Sequence, residues 1–121
     1  MLQSAKGRYG CVTAPHLSAA LAGRDVLAAG GNAIEAMVAS AATIAVVYPH
    51  MNSIGGDGFW LIKKPGEAPI GISACGRAAE LATPDWYAEH GHRDQIPARG
   101  AQAALTVPAT IAGWQAALDR P

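Results

Sequence analysis

Charge is scarce in this chain, and what there is cancels. Nine Lys+Arg face nine Asp+Glu, together 15% of 121 residues, where an average soluble domain carries about 25%. No basic surplus is available for a nucleic-acid backbone, and there is no acidic tail. Cysteine is almost absent. Cys11 and Cys75 have neither zinc-ligand spacing nor the density of a secreted disulfide scaffold, so each is expected as a small core residue. The longest apolar run, Ala33 to Val47, falls short of the ~20 residues of a membrane span and carries Glu35. Residues 1–10 contain Lys6 and Arg8 but no apolar segment of a secretion signal. With Met1 as the start, a cytoplasmic rather than a periplasmic product is expected. Neither nucleic acid nor membrane is an expected partner.

What is present is apolar and small. Half the residues are hydrophobic, with 14 glycines and only 6% aromatics. A small free-standing domain has proportionally more surface to cover with polar groups. The composition therefore suits residues 1–121 as one portion of a larger body. The chain stops at Arg120-Pro121 directly after an expected helix, which reads as a truncation.

Along the chain, Tyr9 to Ala14 alternates enough for a short strand closed by Pro15. His16 to Ala29 is expected as a helix with Leu17, Leu21, Val26 and Leu27 on its apolar side and Arg24 and Asp25 toward water. Gly30-Gly31 should end it. Asn32 with Glu35 three residues on resembles a capping box and opens a second helix to about Val47. Ile34, Met37, Val38, Ala41, Ile44 and Ala45 form one face of that helix. The opposite face is Ala, Ser and Thr, so a buried helix is expected, layered on a sheet. Phe59–Lys63 and Ile70–Cys75 read as a hairpin around Pro65-Gly66-Glu67, leaving at least one sheet edge open. Thr83-Pro84 should start a short helix to Glu89. Residues 90–100 are polar and irregular. A last helix is expected over Thr106 to Leu118, with Ile111, Trp114 and Leu118 on one face.

The most informative stretch is Tyr48 to Trp60, Tyr-Pro-His-Met-Asn-Ser-Ile-Gly-Gly-Asp-Gly-Phe-Trp. Pro49 removes a backbone donor and turns the chain. Gly55, Gly56 and Gly58 then permit positive φ and close backbone approach. The spacing is not that of a phosphate loop, which ends in Gly-Lys-Ser/Thr and runs from strand to helix. Arg77 follows a strand end and Gly76. A guanidinium held by rigid backbone suits bidentate recognition of a carboxylate, although a surface arginine fits the same position. His16 and His50 each follow a proline and are expected as hydrogen-bonded structural residues. His90 and His92 lack a third metal ligand at suitable spacing. Ser18, Ser40, Ser53 and Ser73 have no nucleophile-elbow context. Lys6, Lys63 and Lys64 have no Schiff-base or phosphate-loop setting. Trp60, Trp86 and Trp114 read as core or interface anchors. No metal and no cofactor is implied.

Taken in order, these segments resemble the start of the large subunit in the γ-glutamyltransferase family of N-terminal-nucleophile hydrolases. The resemblance runs through Gly10-Cys11-Val12-Thr13-Ala14-Pro15-His16, Gly30-Gly31-Asn32-Ala33-Ile34-Glu35-Ala36 and Pro49-His50. It continues with Ile54-Gly55-Gly56-Asp57-Gly58-Phe59, Gly76-Arg77 and Ala82-Thr83-Pro84, and ends with Val107-Pro108-Ala109-Thr110-Ile111-Ala112-Gly113-Trp114. Each motif is weak alone, but order and spacing hold over nearly the whole chain.

The resemblance implies an α+β fold: part of a four-layer α-β-β-α sandwich, incomplete in this chain. It also implies a proenzyme several times this length that cuts itself to expose a threonine, both nucleophile and, through its free amine, base. That threonine would lie in a small subunit, the implied protein partner. Thr13, Thr43, Thr83, Thr106 and Thr110 all fall in large-subunit contexts, so this chain should have no catalytic residue and no activity alone. The family's carboxylate-binding arginine maps onto Arg77, the one implied substrate-binding residue. Typical members follow it with glutamate, whereas here Ala78-Ala79 follows. With Asp57 and Trp60 in the glycine loop, this is similar to members that hydrolyse small carboxylate-bearing amides such as oxamate. γ-Glutamyl transfer and hydrolysis on glutathione and related compounds is the alternative. A non-catalytic partner-binding module is a second alternative, which would show as independent cooperative folding.

Overall fold

His16 starts the first helix by offering its ring nitrogen to the backbone. Its Nδ1 accepts from the Ser18 N–H at 3.2 Å, and helix α1 (Leu17–Ala28) follows. The helix ends on Ala29 with Gly30 at φ +92°. Gly30 N–H donates to Leu27 O and Gly31 N–H to Val26 O, the paired bonds of a Schellman ending that favours glycine. Asn32 then opens α2 (Ala33–Val47). Its Oδ1 accepts from Ile34 N (2.8 Å) and Glu35 N (3.0 Å), and Glu35 Oε2 accepts from Asn32 N (2.7 Å). The expected capping box is complete.

The computed structural model describes residues 4–120, which divide into two compact units. One comprises residues 4–54 and 114–120, the other Gly55–Gly113. In the first, α1 and α2 pack along a seam of the smallest side chains. Ala19 and Gly23 from α1 and Ala36 and Ser40 from α2 are the buried residues of these helices. Each pair is four residues apart, one ridge on each helix. A Cβ on Gly23 would overlap the Ser40 hydroxyl and come within 2.9 Å of the Ala36 carbonyl oxygen. The closeness lets Ser40 Oγ donate to Ala19 O at 2.9 Å inside the seam.

This seam corrects the expected faces. Leu17 is 71% exposed, Met37 and Val46 are also exposed, and Leu21, Val26 and Leu27 are half-buried at the rim. The described residues therefore do not enclose α2 as a buried helix. Close backbone approach selects Gly, Ala and Ser, and large apolar side chains are displaced to its margins. Tyr9 to Ala14, expected as a strand, has no ladder partner among the described residues. Without one the segment forms no strand.

In the second unit, β1 (Gly58–Ile62) and β2 (Ile70–Ala74) pair antiparallel, with Gly58 opposite Ala74, Trp60 opposite Ile72 and Ile62 opposite Ile70. The expected hairpin is present, with β1 lying one residue earlier than expected and β2 ending one residue sooner. Its connection turns through Gly66 at φ +77°. Trp60, Ile62, Ile70, Ile72 and Ala74 share the covered face. Cys75, one residue past Ala74, is on the open side, and both cysteines are free and exposed. Neither is the core residue the composition suggested: Cys11 lies on the unpaired segment, and strand alternation turns Cys75 outward.

Thr83 Oγ1 accepts from Trp86 N at 3.2 Å, capping α3 (Pro84–Glu89) as expected. After it, the Tyr87 hydroxyl donates to Gln102 O at 2.9 Å, tying a 3₁₀ turn at Ala101–Ala103 to the helix. The last helix, α4 (Thr110–Leu118), begins later than Thr106. Thr106 bridges Ala78 in extended backbone, and Val107, which precedes Pro108, is biased away from helix. Its covered residues are Thr110, Gly113 and Ala117, while Ile111 and Leu118 are exposed. A Cβ on Gly113 would overlap that of Ala74, so again the smallest residue makes the closest approach. Among the described residues no helix is long and apolar enough to cross a membrane.

Candidate functional site

Three segments of the second unit converge around Arg77: the end of the glycine loop, the exit from β2, and the approach to α4. Gly56 O accepts from the N–H groups of Ala109 (3.2 Å) and Thr110 (3.1 Å) and from Thr110 Oγ1 (2.7 Å). A loop carbonyl thus satisfies donors that a helix start leaves without intrahelical partners. Thr110 Oγ1 also lies 3.4 Å from Asp57 O. The Asp57 carboxylate reaches across to the β2 exit, where its Oδ1 accepts from Gly76 N–H at 3.0 Å. Arg77 O accepts from Val107 N–H at 2.9 Å, and Ala79 N–H donates to Leu105 O at 3.0 Å.

Gly76 is required by space. A Cβ there would overlap the Val107 carbonyl oxygen and lie 3.2 Å from Thr106 Cβ. Gly55, Gly56 and Gly58 do not use the positive φ expected of them. Gly58 instead lies where an added Cβ would meet Thr110 Cα at 3.8 Å. The result is an arginine on backbone held at both flanks, with an exposed side chain. No acidic side chain forms an ion pair with it among the described residues; the ion pair found there joins Arg24 and Asp25 on α1. A guanidinium so presented can take a carboxylate through two parallel N–H···O bonds.

The model of the gamma-glutamyltranspeptidase family matches residues 19–120. The chain belongs to that family. It is 56% identical over 110 residues to the oxamate amidohydrolase proenzyme of Klebsiella pneumoniae, an alignment covering 91% of this chain and 20% of that protein. It is 32% identical to the glutathione hydrolase proenzyme of Escherichia coli, over 95% of this chain and 20% of that protein. Among solved structures, Helicobacter pylori gamma-glutamyltranspeptidase superposes with a TM-score of 0.82 at 30% identity, covering 98% of this chain and 34% of that one. The chain spans about a fifth of the length of the curated relatives it matches, and corresponds to the N-terminal part of their large subunit. Its mixed helix and strand arrangement is that of gamma-glutamyltranspeptidase structures.

Within this family member the remaining candidates hold structure. His16 caps α1. The exposed His50 ring lies 4.2 Å from that of Tyr48. His90 stacks on Trp86 at 3.9 Å and its Nδ1 donates to Trp86 O at 2.7 Å. His92 Nε2 donates to Gln102 Oε1 at 2.6 Å. No group of three or more His, Cys, Asp or Glu fit to hold a metal occurs among the described residues. Thr43, Thr83 and Thr110 direct their hydroxyls to backbone groups.

Sequence reading singled out Arg77, the glycine loop and the Val107-Pro108 segment separately, and the structure brings them together. It missed the bonds that join them. Asp57 stood out only as a variant residue, with no signal of its partner 19 positions away.

Proposed function

We propose that this chain supplies the carboxylate-binding part of a self-processing amide hydrolase whose preferred substrate is a small carboxylate-bearing amide such as oxamate, inside the cell. The observation that carries the reading is the exposed Arg77 on a backbone held by Asp57 and Val107. The 56% identity to an oxamate amidohydrolase proenzyme supports the substrate class. In oxamate the carboxylate adjoins the scissile amide, so an arginine binding one fixes the position of the other. A threonine freed by self-cleavage in the remainder of the proenzyme would attack the amide carbon and expel ammonia. Water would then release oxalate from the ester.

The rest of that proenzyme would also complete a four-layer sandwich. Phe59 and Leu61, 74% and 80% exposed on the open face of the hairpin, form an apolar surface suited to being covered. γ-Glutamyl hydrolysis or transfer is the second reading, favoured by likeness to a glutathione hydrolase proenzyme. The test is to express the full-length proenzyme, verify self-cleavage, and compare ammonia release from oxamate and from γ-glutamyl amides. Turnover of oxamate is expected. Efficient γ-glutamyl transfer to a dipeptide acceptor, with oxamate untouched, would overturn the small-amide reading.

A further inference from the structure

Arg77 owes its setting to a neighbour with unusual freedom. Gly76 must be glycine because Val107 O fills the space of a side chain. Yet glycine is the residue that leaves a backbone least restrained. The restraint comes from elsewhere: the Gly76 N–H is held by Asp57 Oδ1 at 3.0 Å. On the other flank, Arg77 O is held by Val107 N–H at 2.9 Å. Truncating Asp57 would therefore release one flank of Arg77 and keep the other.

The same truncation should leave the loop itself in place. The Gly56 carbonyl holds α4 through the Ala109 and Thr110 N–H groups and the Thr110 hydroxyl. None of these bonds uses the Asp57 side chain. Asp57 is also exposed, so water could replace it as the acceptor for Gly76 N–H with little loss of stability. What water cannot replace is a fixed direction for the residue that follows.

We infer that Asp57 is a positioning residue: its carboxylate, as acceptor for Gly76 N–H, fixes the direction from which Arg77 meets the substrate carboxylate. The inference rests on the reading of Arg77 as the carboxylate-binding residue. Its bond to the Gly76 backbone lets Asp57 act through Arg77, so its loss should weaken binding more than chemistry.

The test uses the full-length, self-cleaved enzyme on the amide that the wild type turns over, with Asp57→Ala, Asp57→Asn, Arg77→Ala and the Asp57→Ala/Arg77→Ala double variant. Asp57→Ala should raise KM about three- to tenfold, the range of one net hydrogen bond, with kcat within about twofold. Asp57→Asn keeps an oxygen acceptor at the same reach and should retain KM within about twofold. The double variant should match Arg77→Ala alone, because an arginine that is gone cannot be misplaced. A role in stability only would leave KM unmoved, or add to the Arg77 effect.

Wild-type KM in Asp57→Ala beside an impaired Arg77→Ala would overturn the positioning role and leave the Arg77 reading standing. Asparagine as impaired as alanine would overturn it too, as charge rather than an acceptor would then be needed. A wild-type Arg77→Ala would overturn the Arg77 reading and this inference with it. Should Asp57→Ala fail to self-cleave, Asp57→Gly, which also lacks the acceptor, takes its place: a raised KM supports the role, and a wild-type KM overturns it.

Discussion

The ends of the first two helices and the Arg77 site are fastened in opposite ways. The ends of α1 and α2 are set by bonds between near neighbours in sequence, His16 to Ser18, Gly31 to Val26 and Asn32 to Glu35, while one bond in their seam, Ser40 to Ala19, spans 21 residues. The site is set by bonds between segments far apart, Asp57 to Gly76 across 19 residues and Thr110 to Gly56 across 54. Local bonds cost little chain entropy and form with the helix itself. Long-range ones need the intervening chain to be closed first. The helix ends should therefore tolerate loss of any one bond, whereas the site should lose its geometry when a single close approach is spoiled.

The sharpest way to break that comparison is Gly76→Ala. The added methyl meets a backbone oxygen rather than a flexible side chain, so the segments must part. A loss of about 3 kcal/mol is expected, at the upper end of overpacking effects. It would show as a lowered thermal midpoint and a reduced yield of self-cleaved full-length protein. An unchanged midpoint would mean that the β2 exit and the α4 approach do not close on one another this tightly.

A smaller effect is expected in the other region. Asn32→Ala removes the acceptor for two helix-start N–H groups and should cost about 1 kcal/mol. Thermal unfolding of the full-length protein would register it, with KM unchanged. A raised KM would show that the helix start and the site are coupled.

Legibility followed the same division. The Asn32–Glu35 box, the Gly30 ending, the Thr83-Pro84 helix start and the hairpin could all be read, since each is written in residues a few positions apart. Faces were read less well. Hydrophobicity pointed to Leu17, Met37, Ile111 and Leu118, but the seams are built on Ala19, Gly23, Ser40 and Gly113, because approach distance selected size over apolarity. The start of α4 was misplaced because Thr106 and Val107 are held in extended backbone by partners near Arg77. Arg77 itself was legible as a position but not as a geometry. Nothing local tells that Asp57 reaches Gly76, or that Val107 holds the arginine's own carbonyl.

The central claim is that this held arginine binds the substrate carboxylate, and kcat/KM of the self-cleaved enzyme with Arg77→Ala and Arg77→Lys tests it most directly. Charge-assisted hydrogen bonds contribute about 1.5–3 kcal/mol, so alanine should lower kcat/KM by roughly one to two powers of ten. Lysine should recover little of it, since an ammonium lacks the planar fork. Wild-type kcat/KM in Arg77→Ala, with self-cleavage intact, would contradict the account.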